Sequence, residues 1–154
     1  MKAFILTMVV CLALGSWNCG AAERTTTQLT PPPLPPRGVK VVSPDSSLAP
    51  GIKAFSGVWE GVWDDKGHGV QAKLVVEEIL AAQNVKILYS WGGCARCNET
   101  PGWRGFTGEI VKKDGKDVLS FGNPSAHLFT FTLEENQLIG KVAEARIAME
   151  KRQE

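Results

Sequence analysis

The sequence predicts an all-β protein, a small antiparallel up-and-down meander that closes into a barrel of about eight strands. One observation behind this is the run Phe-Ser-Gly-Val-Trp-Glu-Gly-Val-Trp at 55–63, in which large rings alternate with glycines. Another is a series of short runs of alternating apolar and polar residues, spaced by about 10 to 12 residues and separated by turn residues. Sequential hairpins are the simplest topology for such a series.

The first strand carries the most informative pattern in the chain. Side chains alternate between the two faces of a strand, so Phe55, Gly57, Trp59, Gly61 and Trp63 share one face. Each glycine leaves a gap beside a ring, where a strand can bend or another backbone can approach closely. This pattern is typical of the first strand of a small, strongly curved sheet.

The later strands are predicted from their alternation and from the turns between them. Two segments, Leu74–Ala82 and Ala143–Arg152, also have the propensity to form helices. We assign both as strands, because each lies in a hairpin-like context. The predicted strands after the first lie within 70–76, 85–91, 103–112, 118–121, 127–133, 137–142 and 147–149.

Residues 1–22 are predicted to be a signal peptide. Lys2 precedes an apolar run from Ala3 to Leu14, and small residues end at a plausible cleavage site before Glu23. The run is too short to span a bilayer, which takes about 20 apolar residues. We therefore expect a periplasmic or secreted protein. The alternative is a lipoprotein anchored at Cys19, and we expect membrane association only in that case.

Residues 23–53 are predicted to be a disordered, proline-rich tether. The run Pro-Pro-Pro-Leu-Pro-Pro at 31–36 favours an extended polyproline conformation, and few large apolar residues offset the entropy of ordering. The folded domain is then 54–154, long enough for one core. Once Lys2 leaves with the signal peptide, basic and acidic residues balance, which argues against a nucleic-acid partner.

Cys94 and Cys97 form the sharpest chemical feature of the sequence. A structural disulfide that shapes the loop is the preferred interpretation, because an exported chain can keep it. Thiol redox chemistry would need a helix after the first cysteine, and turn residues follow from Asn98 onward. Zinc would need two more ligands, and His68 and His127 belong to a different turn and strand. We predict no metal and no cofactor.

Catalysis has little support in the sequence. The chain contains no Gly-x-Ser-x-Gly, no His-Glu-x-x-His and no phosphate-binding glycine loop. His127 near Ser125 could act as a base, but a histidine beside phenylalanines on a strand is more often structural. Glu77 and Glu78 are neighbours on a strand and therefore point to opposite faces. We predict no catalytic residues.

Aromatic residues are the best candidates for a binding site. Four tryptophans remain after 1–22, which suits either a core filled by rings or a site lined by rings with a few polar tips. The candidate ligand-binding residues are Trp63, Tyr89, Trp91, Trp103 and Arg104.

The first strand carries a family resemblance. Gly57-Val58-Trp59, continued by Gly61 and Trp63, resembles the Gly-x-Trp start of lipocalin and avidin-like barrels. With 74–77, 89–92 and Pro101-Gly102-Trp103, it is also similar to small exported bacterial domains with no established function. The resemblance covers about residues 54–150 and implies a lipocalin-like barrel, structural roles for Gly57, Trp59 and Gly61, and an apolar ligand cavity.

Three functions are compatible with these observations. The first is non-catalytic binding of a small apolar or amphipathic ligand at an aromatic-lined barrel mouth. The second is a protein-interaction or cell-envelope assembly module built on a solid barrel, with an envelope protein as partner. The third is a redox or hydrolytic accessory enzyme. A cavity inside the barrel distinguishes the first function from the second.

Overall fold

A computed structural model of the chain describes residues 29–64, 69–80, 83–95 and 98–153. In these residues eight antiparallel strands form a closed barrel, each paired with the next in sequence and the last with the first, as predicted. Both segments with helical propensity contribute strands, over 74–79 in the first and over 145–151 in the second. After a short helix α1, Pro50–Lys53, the strands are β1 Gly57–Asp64, β2 Val70–Ile79, β3 Asn84–Trp91, β4 Gly102–Lys113, β5 Lys116–Asn123, β6 His127–Glu134, β7 Gln137–Val142 and β8 Ala145–Lys151.

The glycine pattern of β1 allows the barrel to close. Gly61 pairs with Met149 of β8, and a Cβ atom on Gly61 would overlap the carbonyl oxygen of Ala148. The gap predicted beside the rings is therefore occupied by the backbone of the last strand. On the same face, the indole nitrogen of Trp59 donates a hydrogen bond to the carbonyl oxygen of Phe55, at 2.9 Å.

Side chains from all eight strands fill the inside of the barrel. Inward-facing residues form one continuous cluster. Each strand contributes at least one side chain that is no more than 2% exposed: Trp59, Leu74, Ile87, Ile110, Leu119, Phe131, Leu138 and Met149. These buried side chains fill the middle of the barrel and form its core.

The N-terminal strap, residues 29–49, lies against the outside of β2 and β3. The hydroxyl of Ser90 donates a hydrogen bond to the carbonyl oxygen of Pro33, and the Val42 N–H donates to the carbonyl oxygen of Glu77, at 2.7 Å. Val75 and Leu88 are fully buried although they point outward. Their burial indicates that the strap shields them from solvent.

This packing differs from the disordered tether expected for 23–53. Leu48 packs against the core cluster and Ile52 belongs to it, so the folded unit begins before residue 54. Residues 1–28, which contain the predicted signal peptide and Cys19, lie outside the described residues. Within the described residues, no helix has the length and apolar character needed to cross a membrane.

Candidate functional site at the aromatic end of the barrel

Five aromatic side chains meet at the end of the barrel where β1, β3 and β5 finish. Alternation along each strand turns these residues inward, and the pairing register brings them to the same level. Three of them are buried and two, on β3 and β6, are half-buried. We call this group the aromatic end; its members are Trp63, Tyr89, Trp91, Phe121 and Phe129.

The rings of the aromatic end touch one another and leave little room between them. Tyr89 and Phe121 each lie 5.0 Å from Phe129, measured between ring centroids, and Phe121 is nearly parallel to Phe129. Tyr89 also stacks on Trp91 at 5.9 Å. These distances are those of directly packed aromatic pairs. Phe131 continues the stack into the core, 5.8 Å from Phe121.

Tyr89 and Trp63 form the polar contact within this cluster. The indole nitrogen of Trp63 donates a hydrogen bond to the Tyr89 hydroxyl, at 2.6 Å. Burial raises the pKa of Tyr89 to about 12; the hydrogen bond from Trp63 opposes this shift, and the negative charge of Glu99 adds to it. The phenol therefore stays neutral at physiological pH, and its role here is structural.

Arg104 and Trp103 lie on opposite faces of β4. Arg104 pairs with Tyr89 and shares its inward face, yet it is exposed, with its guanidinium 5.9 Å from the centroid of Phe106. Trp103 pairs with Ser90, faces outward and is 43% exposed. The predicted site residues are therefore divided. Trp63, Tyr89, Trp91 and Arg104 meet at the aromatic end, and Trp103 lies on the outer wall.

The loop between β3 and β4 is held against Trp91. The Trp91 indole nitrogen donates to the carbonyl oxygen of Thr100 at 2.9 Å, so the loop already uses this donor. Cys94 and Glu99 exchange two backbone hydrogen bonds across the loop, at 2.9 and 3.0 Å. Cys97 lies outside the described residues, so the disulfide between Cys94 and Cys97 stays a prediction.

Among the described residues, no hydrogen bond or ion pair joins the side chains of the polar candidates for catalysis or metal binding. His127 is exposed at the start of β6, and the backbone N–H of Ser125 donates to the Asn123 side chain at 2.9 Å. Glu77 and Glu78 bind different cations, Arg37 and Lys86. His68 lies outside the described residues. Within the described ranges, no group of three or more His, Cys, Asp or Glu side chains could hold a metal ion.

The cavities of the described residues open on the outer wall. One cavity, of about 680 Å³, lies between the strap and β8 and is lined by Glu60. Partial burial pushes the pKa of Glu60 upward, but hydrogen bonds from Lys73 and Arg152 outweigh it and lower the pKa. Another cavity, of about 300 Å³, lies over β5 to β8, where Lys141 and Arg146 are neighbours. Neither of these two cavities is lined by a residue of the aromatic end, whereas a third, of about 260 Å³, is lined in part by Phe121.

Two phenylalanines of the aromatic end, Phe121 and Phe129, are absent from the sequence-predicted site. Their signal in the sequence is alternation within β5 and β6, which predicts a shared face for Phe129 and Phe131. Alternation alone does not say which end of the barrel each residue occupies, because that depends on the register between strands.

No protein-family model, curated protein or solved structure matches this chain. The resemblance to lipocalin and avidin-like domains therefore stays a prediction.

Proposed function

We propose that this protein is a non-catalytic, exported interaction domain: a solid barrel that docks a partner in the cell envelope. The observation that carries the proposal is the filled interior, where buried side chains run without a break into the aromatic end. A barrel that encloses a ligand needs an interior cavity. A barrel filled by its own side chains is suited to presenting its outer surface.

The contact surface that we propose is the first half of β4 and the neighbouring rim of the aromatic end. Trp103 is the most exposed aromatic side chain of the described residues, and Arg104 is exposed beside it. Tryptophan and arginine are the residue types most enriched among side chains that dominate protein interfaces. Both lie on a paired strand, which fixes their position better than a loop would.

One observation favours a second candidate, the binding of a small amphipathic anion at the rim. Arg104 lies on the inward face of β4 next to half-buried rings, so a carboxylate could pair with the guanidinium while an apolar group covers Trp91. Such a ligand would rest on the rim without entering the barrel.

Sedimentation of the purified mature chain, residues 23–154, with envelope fractions of the source cells tests the first proposal. We expect saturable binding that falls about tenfold or more in Trp103→Ser, as expected for an aromatic residue at the centre of an interface. Val111→Ser is the matched control, because Val111 is 39% exposed on the same face of β4 and should leave binding unchanged.

The absence of saturable binding to every envelope fraction would overturn the first proposal, as would equal losses in both variants. A tryptophan-fluorescence titration with fatty acids and aromatic carboxylates tests the second candidate. A saturable response that disappears in Arg104→Gln would favour it over a macromolecular partner.

A further inference from the structure

The first half of β4 has a partner strand on one side only. β3 pairs with β4 from Gly102 to Glu109, whereas β5 pairs with β4 only from Gly108 to Lys113. Along 102–107, one edge of β4 therefore lacks a neighbouring strand among the described residues. Backbone N–H and C=O groups on such an edge can pair with another strand.

β5 leaves β4 at Gly122, which has a φ of +106° that glycine adopts readily. Beyond this point, Gly122 and Asn123 pair with Leu128 and His127 of β6. A Cβ atom on Gly122 would overlap the carbonyl oxygen of His127, so this close approach requires glycine. The wall of the barrel is thus split between β4 and the hairpin 122–128.

The split forms a slot with two sides and a floor. Trp103, Gly105 and Thr107 are exposed on one side, and residues 122–128 are exposed on the other. A cavity of about 260 Å³ lies beside the slot and is lined by Thr107, Glu109, Phe121, Gly122, Pro124 and Leu128, among others. Below it, the rings of Phe106 and Phe121 pack 5.2 Å apart and separate the slot from the core.

The free edge carries little of the protection that exposed strands usually have. Edges are commonly guarded by lysine, proline or a very short strand, whereas 102–107 reads Gly-Trp-Arg-Gly-Phe-Thr, with a single charge at Arg104. Exposed apolar side chains flank the slot on both sides, with Trp103 at 43% and Leu128 at 40% exposure.

We infer that the edge of β4 from Trp103 to Thr107 is a strand-addition site for an extended segment of the partner. This inference rests on the proposed interaction function and names its mode of binding. A slot bounded on both sides accommodates one extended segment. A second copy of the barrel would bring its own hairpin 122–128 into the same space.

The lining of the slot specifies the chemistry of that segment. Glu109 lines the outer part of the cavity, and none of the described cations pairs with it, so a basic side chain is favoured there. Alternate residues of the segment would face inward, toward Phe106, where an apolar side chain is favoured. The expected partner segment therefore alternates apolar residues with polar ones and carries a lysine or arginine.

The probe is a capped heptapeptide of alternating valine and threonine with a central lysine, added to the mature chain. Amide hydrogen exchange, followed by NMR, reports the edge directly. In the free protein, we expect the amides of 103–107 that point into the slot to exchange faster than those of Gly108 and Glu109, which have a paired strand on both sides. The peptide should slow them in a saturable way, and a peptide with alternate backbone nitrogens methylated should not.

A charge swap tests the predicted chemistry. Glu109→Lys should weaken binding of the lysine peptide about threefold, the size expected of an exposed ion pair, and strengthen binding of a peptide with glutamate at its centre. Glu144→Lys makes the same change in charge in the turn between β7 and β8 and should leave both affinities unchanged.

The inference is overturned if the lysine peptide gives no protection of 103–107 at its solubility limit, or if the methylated peptide protects equally. Failure here is distinguishable from failure of the proposed function. Envelope binding sensitive to Trp103→Ser without peptide protection would leave the function and remove this mode of binding. Peptide protection without envelope binding would support strand addition at β4 and would overturn the proposed envelope partner.

Discussion

The indole nitrogen of Trp63 donates a hydrogen bond to the hydroxyl of Tyr89, with 2.6 Å between the two atoms. The residues lie on β1 and β3 and are 6% and 5% exposed. Because β2 separates these strands in the barrel wall, the bond crosses the interior at the aromatic end. The buried indole N–H thus finds its acceptor, the phenol oxygen, within a cluster of rings.

Replacing Tyr89 by phenylalanine tests how much this hydrogen bond contributes to the stability of the protein. Tyr89→Phe keeps the ring but leaves the buried Trp63 N–H without its acceptor, so we expect the free energy of unfolding to fall by about 1–3 kcal/mol. Urea unfolding followed by circular dichroism measures the change. Thr107→Val removes an exposed hydroxyl and should change stability by less than about 0.5 kcal/mol. Equal effects of the two substitutions would contradict a structural role for the bond.

Ionisation of Tyr89 should lower the stability of the protein at alkaline pH. Burial raises its pKa to about 12, whereas the unfolded chain ionises near a pKa of about 10. Between these values the unfolded state binds fewer protons than the native state, so stability falls by about 1.4 kcal/mol per pH unit from this group. The contribution of neutral Tyr89 to the free energy of unfolding is fully present below about pH 10. It is lost as the pH rises through the pKa of Tyr89 in the folded protein.

The titration can be followed directly, because Tyr89 is the only tyrosine in the chain. Phenolate absorbance of the native protein should appear near pH 12, and that of the urea-unfolded protein near pH 10. Coincident titrations would show that Tyr89 is accessible to solvent in the native state. The description of the aromatic end as closely packed would then be wrong.

The strap should depend on the absence of a side chain at Gly92. A Cβ atom there would overlap the carbonyl oxygen of Thr30, so Gly92→Ala should displace the start of the strap. We expect a loss of about 1–3 kcal/mol in the free energy of unfolding, the usual cost of overpacking. Limited proteolysis should then cut within 29–49, where we expect the parent protein to resist cleavage.

Gly105→Ala is the control for this substitution. A Cβ atom on Gly105 would lie 3.9 Å from the carbonyl oxygen of Ile87, an ordinary contact, so stability and protease resistance should be unchanged. A Gly92→Ala variant that unfolds and is cleaved like the parent would show that the strap does not pack as described.

Deleting the strap should destabilise the barrel. A chain that begins at residue 50 exposes Val75 and Leu88, and each fully buried side chain of this kind contributes about 1.5–3 kcal/mol. We therefore expect a lower midpoint of urea unfolding for residues 50–154 than for residues 23–154. An unchanged midpoint would mean that the strap is a spacer, as its composition suggests.

The barrel was predictable because its signals are local. Ring and glycine alternation in β1 and the turn residues between later strands need no knowledge of pairing. The strap is not predictable from its own sequence, because a proline run is disordered unless it packs against a protein surface. A signal exists in Leu74-Val75-Val76 and Ile87-Leu88-Tyr89, since consecutive apolar residues indicate strands buried on both faces.

The candidate site was predictable only in part, because its geometry depends on register. Trp91 and Trp103 stand on either side of one loop in the sequence, which predicts that both rings lie at the same end of the sheet. The pairing of Trp103 with Ser90 places its ring on the outer wall instead. Alternation within β4 carries a hint, since Trp103 and Phe106 must lie on opposite faces. The slot beside β4 depends on the residue at which β5 stops pairing with β4. No local pattern of apolar residues predicts that position.

The most direct test of the solid barrel is a methyl NMR titration of residues 23–154 with fatty acids and aromatic metabolites. The account predicts that the methyl resonances of Ile110, Leu119, Leu138 and Met149, which are buried in the middle of the barrel, stay unchanged at every ligand concentration. Saturable shifts of these core methyl resonances would show that a ligand enters the barrel. The interaction proposal would then give way to a ligand-binding function.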